Sequence, residues 1–309
     1  MKYKYRRYYI YYLGRVLAFQ FYILPLSVAL AIARCIGSVA FTVLGKYRRI
    51  AIDNLRAAFG DEKTDQEIRT IARKAFENLA MVAVEMVHFP RINESNIDKY
   101  VCMEHPEIVD ESFRAGKGTI ILTAHFGNWE LLAMTLRVKG YPGVAIGRKI
   151  YFHKYDDYLN SLRKMHDVNV IDREQSPRTF LKILKSNRIV GILADQDVDS
   201  VEGVFVNFFG RPAYTPIGPV ALAKVTGATI VPAFIVREGL HHRFMVEKPV
   251  ALADTGDKEK DMIANTQAWS DVLESFIRKY PEHWVWVHRR WKTKPQANID
   301  IQKMQGIAL

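Results

Sequence analysis

Three hydrophobic patterns succeed one another along the chain. The first is Val16 to Ala33, 18 residues without a charge, about 27 Å long if helical. Pro25 falls near its middle and predicts a kink. The second pattern has helical period. Residues 47 to 60 place Ile52, Leu55 and Phe59 on one side. Thr64-Asp65-Gln66-Glu67 then reads as a capping box. Ile68, Ile71, Ala72, Ala75, Phe76, Leu79, Val82, Ala83 and Met86 follow the 3.6-residue repeat until Pro90 stops it. The third begins near residue 117. Short β-rich runs at Thr119 to Thr123, Val144 to Ile146, Val168 to Ile171, Ile189 to Ala194 and Ile230 to Val236 alternate with helical stretches. Ser176-Pro177 and Thr215-Pro216 read as N-cap and first-turn signals. A last helix is predicted over about Asp257 to Tyr280, ended by Pro281.

This alternation predicts an α/β fold: a mostly parallel sheet flanked by helices, with an N-terminal membrane-anchoring helix. The pattern divides the chain into an anchor at 1–46, a helical cover at 47–100, an α/β core at 101–295 and a tail at 296–309. With no internal repeat, and 49% of the 309 residues hydrophobic, one large catalytic domain under a cover is expected.

Charge sharpens the reading of the N-terminus. Residues 1 to 50 hold nine Lys or Arg and no acid, whereas the remainder carries 35 basic and 33 acidic residues. The net charge of +11 therefore belongs to the anchor, and no nucleic-acid partner is expected. Eight of the fifteen tyrosines also lie in residues 1 to 50, beside these cations, as a membrane interface selects. The uncharged run is too long for a secretory signal and lacks a cleavage site. Bases on both flanks leave a spanning helix and an interfacial one equally open, and anionic lipid would hold either. Two cysteines, Cys35 and Cys102, fit neither a disulfide framework nor a zinc site.

The candidate chemistry lies where the first β-rich run ends. His125 closes it, Phe126-Gly127 links it onward, and Asn128 opens a helix with Glu130 in its first turn. Open α/β sheets bind ligands at such junctions. On a continuous helix residues five apart diverge by about 140°. Across a strand, a loop and a helix turn they can converge, so that Glu130 fixes the imidazole tautomer and the other ring nitrogen takes a proton from a hydroxyl. No nucleophile elbow is present, so the attacking hydroxyl belongs to a substrate. A structural histidine beside a dipole-paired Glu is the plainer alternative. Trp129 reads as packing. Ala115-Gly116-Lys117-Gly118-Thr119 precedes a strand and is a turn, not a phosphate loop. Asp195-Gln196-Asp197 follows another apolar run. With His125 and Glu130 it offers metal ligands, as a phosphoesterase would need, or it is a plain strand-end loop. Val204 to Pro212 is either a central strand or the lining of an alkyl groove. Arg148-Lys149 and His288-Arg289-Arg290-Trp291-Lys292 suit phosphate near a membrane, or a solvated tail. A membrane-docked lipid-binding protein without catalysis is a third reading.

Taken in order, several of these features resemble one family. They are the Arg48-Arg49 to Phe59 helix with Asn54-Leu55, the Thr123-Ala124-His125-Phe126-Gly127-Asn128-Trp129-Glu130 motif, Asp195-Gln196-Asp197, Val204 to Gly210, Thr215-Pro216 and Pro281-Glu282 to Lys292. Together they resemble the bacterial lipid A late acyltransferases, over nearly the whole chain. Glu130 stands where glycerolipid relatives usually carry Asp, as in the lipid A branch. The resemblance implies transfer of a fatty acyl group from acyl carrier protein, or coenzyme A, to a hydroxyl of a lipid A precursor or another glycolipid such as a mannoside. His125 is then the general base, assisted by Glu130. Asn128, Arg148, Asp195, Asp197, Arg289 and Arg290 are the implied substrate-binding residues. No cofactor and no metal is expected. The expected place is the cytoplasmic side of the inner membrane, among anionic inner-membrane lipids. A single span starting in the cytosol would then put His125 on the wrong side.

Overall fold

The computed structural model describes residues 5–295; the first four residues of the anchor and the tail at 296–309 lie outside the described residues. The uncharged run is not one helix. It is shared between α1 (Tyr5–Ile23) and α2 (Leu26–Val43), which part at Pro25. Pro25 lacks the N–H that a continuous helix needs, so the break falls there. Among the described residues α2 is the one helix long and apolar enough to cross a membrane. Its two faces differ. Ala29, Ala33 and Gly37 recur every four residues on the buried side, and a Cβ on Gly37 would lie 2.4 Å from the Glu77 Cα. These small residues let α2 press closely on α4 (Asp65–His88). The other face exposes Val28, Ile32, Ile36, Val39 and Val43.

Only part of the tyrosine collar faces outward. Tyr5, Tyr9 and Tyr12 are exposed. Tyr8 and Tyr11 meet Phe152 edge to face at 5.1 and 6.3 Å, and Arg15 lies 4.2 Å over the Tyr158 ring. These contacts fasten α1 to α7 (His153–Lys164) and the loop before it.

The two helices that periodicity predicts after residue 46 form. α3 (Gly45–Phe59) precedes α4, whose Thr64 cap accepts from the Glu67 amide while Glu67 accepts from Thr64 in return. α4 stops at His88, short of Pro90.

The core is a seven-stranded sheet ordered β1-β9-β8-β2-β5-β3-β4. Its strands are β1 (Val101–Glu104), β2 (Thr119–Thr123), β3 (Gly143–Gly147), β4 (Asn169–Asp172), β5 (Ile189–Leu193), β8 (Thr229–Glu238) and β9 (His241–Val246). All neighbours are parallel except β8 and β9. Both faces are covered. Ile120 and Leu122 of β2 join Phe234 of β8, α8 (Pro177–Lys185), α9 (Gly218–Thr226) and α10 (Lys258–Lys279) in one core. Ile121 and Val231 join α5 (Pro106–Arg114) and α6 (Trp129–Val138) in the other. Period-two alternation into two apolar layers is what makes these strands read as unbroken apolar runs.

Two expectations are corrected. Val204 to Pro212 is not a central strand. It lies in a separate antiparallel hairpin, β6 (Gly203–Phe208) with β7 (Arg211–Pro216), packed on α10. Thr215-Pro216 ends that hairpin, and the following helix starts at Gly218-Pro219.

Candidate active site

Register explains the centre of the site. Thr123 at the end of β2 pairs with Leu193 at the end of β5. Each strand runs on by two residues, to His125 and Asp195, which therefore meet. The His125 Nδ1 lies 2.9 Å from the Asp195 Oδ1, and the Trp284 indole donates to Oδ2, also at 2.9 Å. Asp195 is 2% exposed, whereas the His125 side chain keeps 28% toward a cleft. Burial opposes the charged imidazolium, but the Asp195 carboxylate outweighs it through charge and hydrogen bond, with a smaller push from Glu130. The His125 pKa is thus raised. Burial likewise opposes the Asp195 carboxylate, and the His125 charge with the two donors holds its pKa below the usual range.

Asp195, assigned above to substrate, is thus the carboxylate against the imidazole, and Glu130 is not. The α6 start turns Glu130 toward α7, where it accepts from Arg163 through Nε at 2.8 Å and a terminal nitrogen at 2.5 Å. Trp129, read as packing, meets the His125 ring edge to face at 5.1 Å and donates to Glu130. The loop between is pinned. The Gly127 amide donates to the His283 carbonyl and the Val285 amide to the His125 carbonyl. Gly127 has φ of 55°, and a Cβ there would fall 1.7 Å from the Ile235 carbonyl oxygen, so only glycine fits.

The cleft has a volume of about 590 Å³. His125, Trp129, Glu130 and Arg163 line one side, with Arg148, Arg173, His288 and Lys292 around it. Arg148 follows β3 and Arg173 follows β4, so both basic groups stand at carboxyl ends of parallel strands. An apolar slot of about 50 Å³ runs from the cleft between α6 and the sheet. Trp129, Ala133, Ala145 and Leu193 border both spaces, and Gly191 lies on the slot's sheet side.

Three further implied ligands do not reach this space as expected. Asn128 is fully buried. Its Oδ1 caps α6 by accepting from the Leu131 amide and its Nδ2 donates to Glu85, and neither atom lines the cleft. Arg290 is 1% exposed; it donates to the Tyr214 carbonyl and the Thr215 hydroxyl and stacks over Phe208. Burial lowers its pKa to about 10, still charged at neutral pH. Arg289 is exposed and does not line the cleft. Asp197 borders the cleft, yet both its carboxylate oxygens accept from Thr293. Among the described residues no three His, Cys, Asp or Glu side chains gather as a metal site.

Sequence reasoning missed Arg163 and Arg173 altogether, and it took Trp284 only as part of the closing aromatic segment. The spacing of Arg163 within an amphipathic helix carries no signal, because its partner lies 33 residues away. A Trp amid an apolar run likewise gives no hint that its indole N–H has a buried partner.

The model of the bacterial lipid A biosynthesis acyltransferase family matches residues 1–293. The chain is 28% identical over 300 residues to the lipid A biosynthesis lauroyltransferase of Escherichia coli, covering 94% of each chain. It is 24% identical over 265 residues to the myristoyltransferase of that organism, 85% of this chain and 81% of the relative. It is 28% identical over 217 residues to the phosphatidylinositol mannoside acyltransferase of Mycobacterium tuberculosis, 67% of this chain and 66% of the relative. A buried acid behind a cleft-facing imidazole, on a parallel sheet with a slot beside it, thus belongs to an acyltransferase, a member of the bacterial lipid A biosynthesis acyltransferase family.

Proposed function

We propose that the protein transfers a fatty acyl chain from an acyl carrier protein thioester, or its coenzyme A equivalent, to a hydroxyl of a lipid A precursor. The His125 Nε2 takes the proton of the acceptor hydroxyl while Asp195 holds Nδ1–H. The alkoxide oxygen attacks the thioester carbonyl, the C–S bond breaks, and the imidazolium returns its proton to the leaving thiolate. Arg148, Arg173 and Lys292 hold phosphate of the acceptor or the donor arm. The fatty chain enters along the cleft and part of it reaches the slot beside Ala133 and Gly191. The exposed apolar faces of α1 and α2 rest in the inner membrane on its cytoplasmic side, with Arg and Lys at anionic head groups. The mannoside-acylating relative supports a second acceptor class, a mannosylated phospholipid.

The single observation that carries this reading is the His125–Asp195 hydrogen bond at the cleft, in a chain of an acyltransferase family. The test is transfer of a radiolabelled acyl group to a lipid A precursor or to a phosphatidylinositol mannoside. His125→Ala is expected to abolish transfer and to leave membrane attachment intact. Transfer at the native rate by that variant rules out the imidazole as base.

A further inference from the structure

Glu85 lies on α4, within the helical cover, and is 5% exposed. It is the partner of the fully buried Asn128, whose Nδ2 donates to the Glu85 Oε2 at 2.7 Å. On its other side Glu85 takes both terminal nitrogens of Arg237, one of them at 2.8 Å, and the His242 Nε2 lies 3.2 Å from Oε1. Arg237 comes from β8, two residues from Ile235, whose carbonyl packs against Gly127. Burial lowers the His242 pKa to about 3, so at neutral pH it adds no second cation to the cluster.

The amide of Asn128 has two ends with different duties. Its oxygen must face the Leu131 amide to cap α6. Its NH₂ must then face an acceptor, because a buried donor left unmade is costly. Glu85 supplies that acceptor and Arg237 keeps Glu85 turned toward it. Asn128 is three residues from His125 and one from Trp129, which touches the ring.

We propose that Glu85 is a positioning residue for the acyl transfer: it sets the Asn128 amide, and through it the backbone that aims His125 at the cleft. This rests on the acyl-transfer reading above. The cover is thus part of the catalytic apparatus, although no residue of α4 lines the cleft.

The test uses the full-length protein in lipid vesicles, with Glu85→Gln, Asn128→Asp and the two combined. In Glu85→Gln, the new amide must set its NH₂ against either Arg237 or the Asn128 NH₂, so two donors collide. In Asn128→Asp two carboxylates face each other. In the double variant the amide oxygen introduced at position 85 accepts from one terminal nitrogen of Arg237 and the amide NH₂ donates to the carboxylate introduced at position 128, so that only the second Arg237 nitrogen, which shared Oε2 with Asn128, loses its acceptor. The second oxygen of that carboxylate keeps the cap. Each single variant is expected to lower kcat by about 10- to 100-fold with KM for donor and acceptor within about twofold. The double variant is expected to recover kcat to within about fivefold of the parent. Hydrogen exchange over residues 125–131 should quicken in both single variants and return to the parent rate in the double. Single variants with native kcat, a double variant worse than either single, or faster exchange spread over the whole chain each overturn the proposal. A parent protein that transfers no acyl group overturns the acyl-transfer reading instead, and the exchange pattern then decides the positioning on its own.

Discussion

Asp195→Asn is the sharpest perturbation of the site. The replacement keeps shape and volume, so packing beside Trp284 is unchanged. The indole N–H can only donate, so it selects the amide oxygen. The new NH₂ must then face the His125 Nδ1, 2.9 Å away. Two donors cannot share that space, and the imidazole moves its proton to Nε2. The lone pair that faces the acceptor hydroxyl is lost. The same change behind the histidine of a serine-protease triad lowers kcat by about 10⁴-fold, which is about 5.4 kcal/mol at 1.36 kcal/mol per tenfold. We expect a fall of about 10³- to 10⁴-fold here, at unchanged KM. The assay is acyl transfer by purified variant under saturating donor and acceptor, with folding checked by thermal melting. The acid limb of the pH profile should also move to lower pH, because burial then acts on His125 without its counter-charge. A variant keeping more than about a tenth of the native kcat refutes the role given to Asp195.

Other outcomes follow from the same geometry. In the native enzyme the raised His125 pKa places the acid limb of kcat/KM above about 6.5, with activity rising as the ring loses its proton; a limb below that value contradicts the Asp195 pairing. Gly191→Val should fill the slot and shift preference toward shorter chains, by about fourfold per methylene excluded at about 0.8 kcal/mol each, read from competition among acyl donors. Arg290→Ala takes the guanidinium donor from the Tyr214 carbonyl and the Thr215 hydroxyl in a buried site and should cost about 2–4 kcal/mol in denaturant titration, whereas Arg148→Ala should raise acceptor KM and leave stability unchanged. Chelator treatment should leave transfer unchanged; loss restored by a divalent cation would favour the phosphoesterase reading.

Much of the fold was legible because it depends on local repeats. The cover helices follow from Thr64 and the spacing of Ile68 to Met86, and the parallel strands from apolar runs between helices. The edge strand β1 and the antiparallel β9 escaped, since Val101 to Glu104 and His241 to Val246 carry polar residues and little alternation. The hairpin at 203–216 escaped because a run greasy enough for a central strand is equally apolar when buried against α10. At the site, His125 and the strand-end acids stood out, but their pairing did not. Glu130 is near in sequence and Asp195 is 70 residues away, yet β5 lies beside β2 in the sheet and brings the distant acid into contact. Proximity along the chain favoured the wrong carboxylate. Arg290 misled for a related reason: a cation in a basic tail gives no sign that a hairpin will enclose it.

The clasp between α1 and α7 has a practical bearing. α7 carries Arg163, which grips Glu130 one residue from Trp129 and the imidazole edge. The greasy leader is therefore wired to the reaction centre through two relays of side chains. Trimming α1 to gain a tractable, water-friendly preparation would take the Tyr8, Tyr11 and Arg15 contacts away from Phe152, Tyr155 and Tyr158. Such a shortened enzyme should bind its substrates and turn over sluggishly, a defect that added detergent or lipid will not repair.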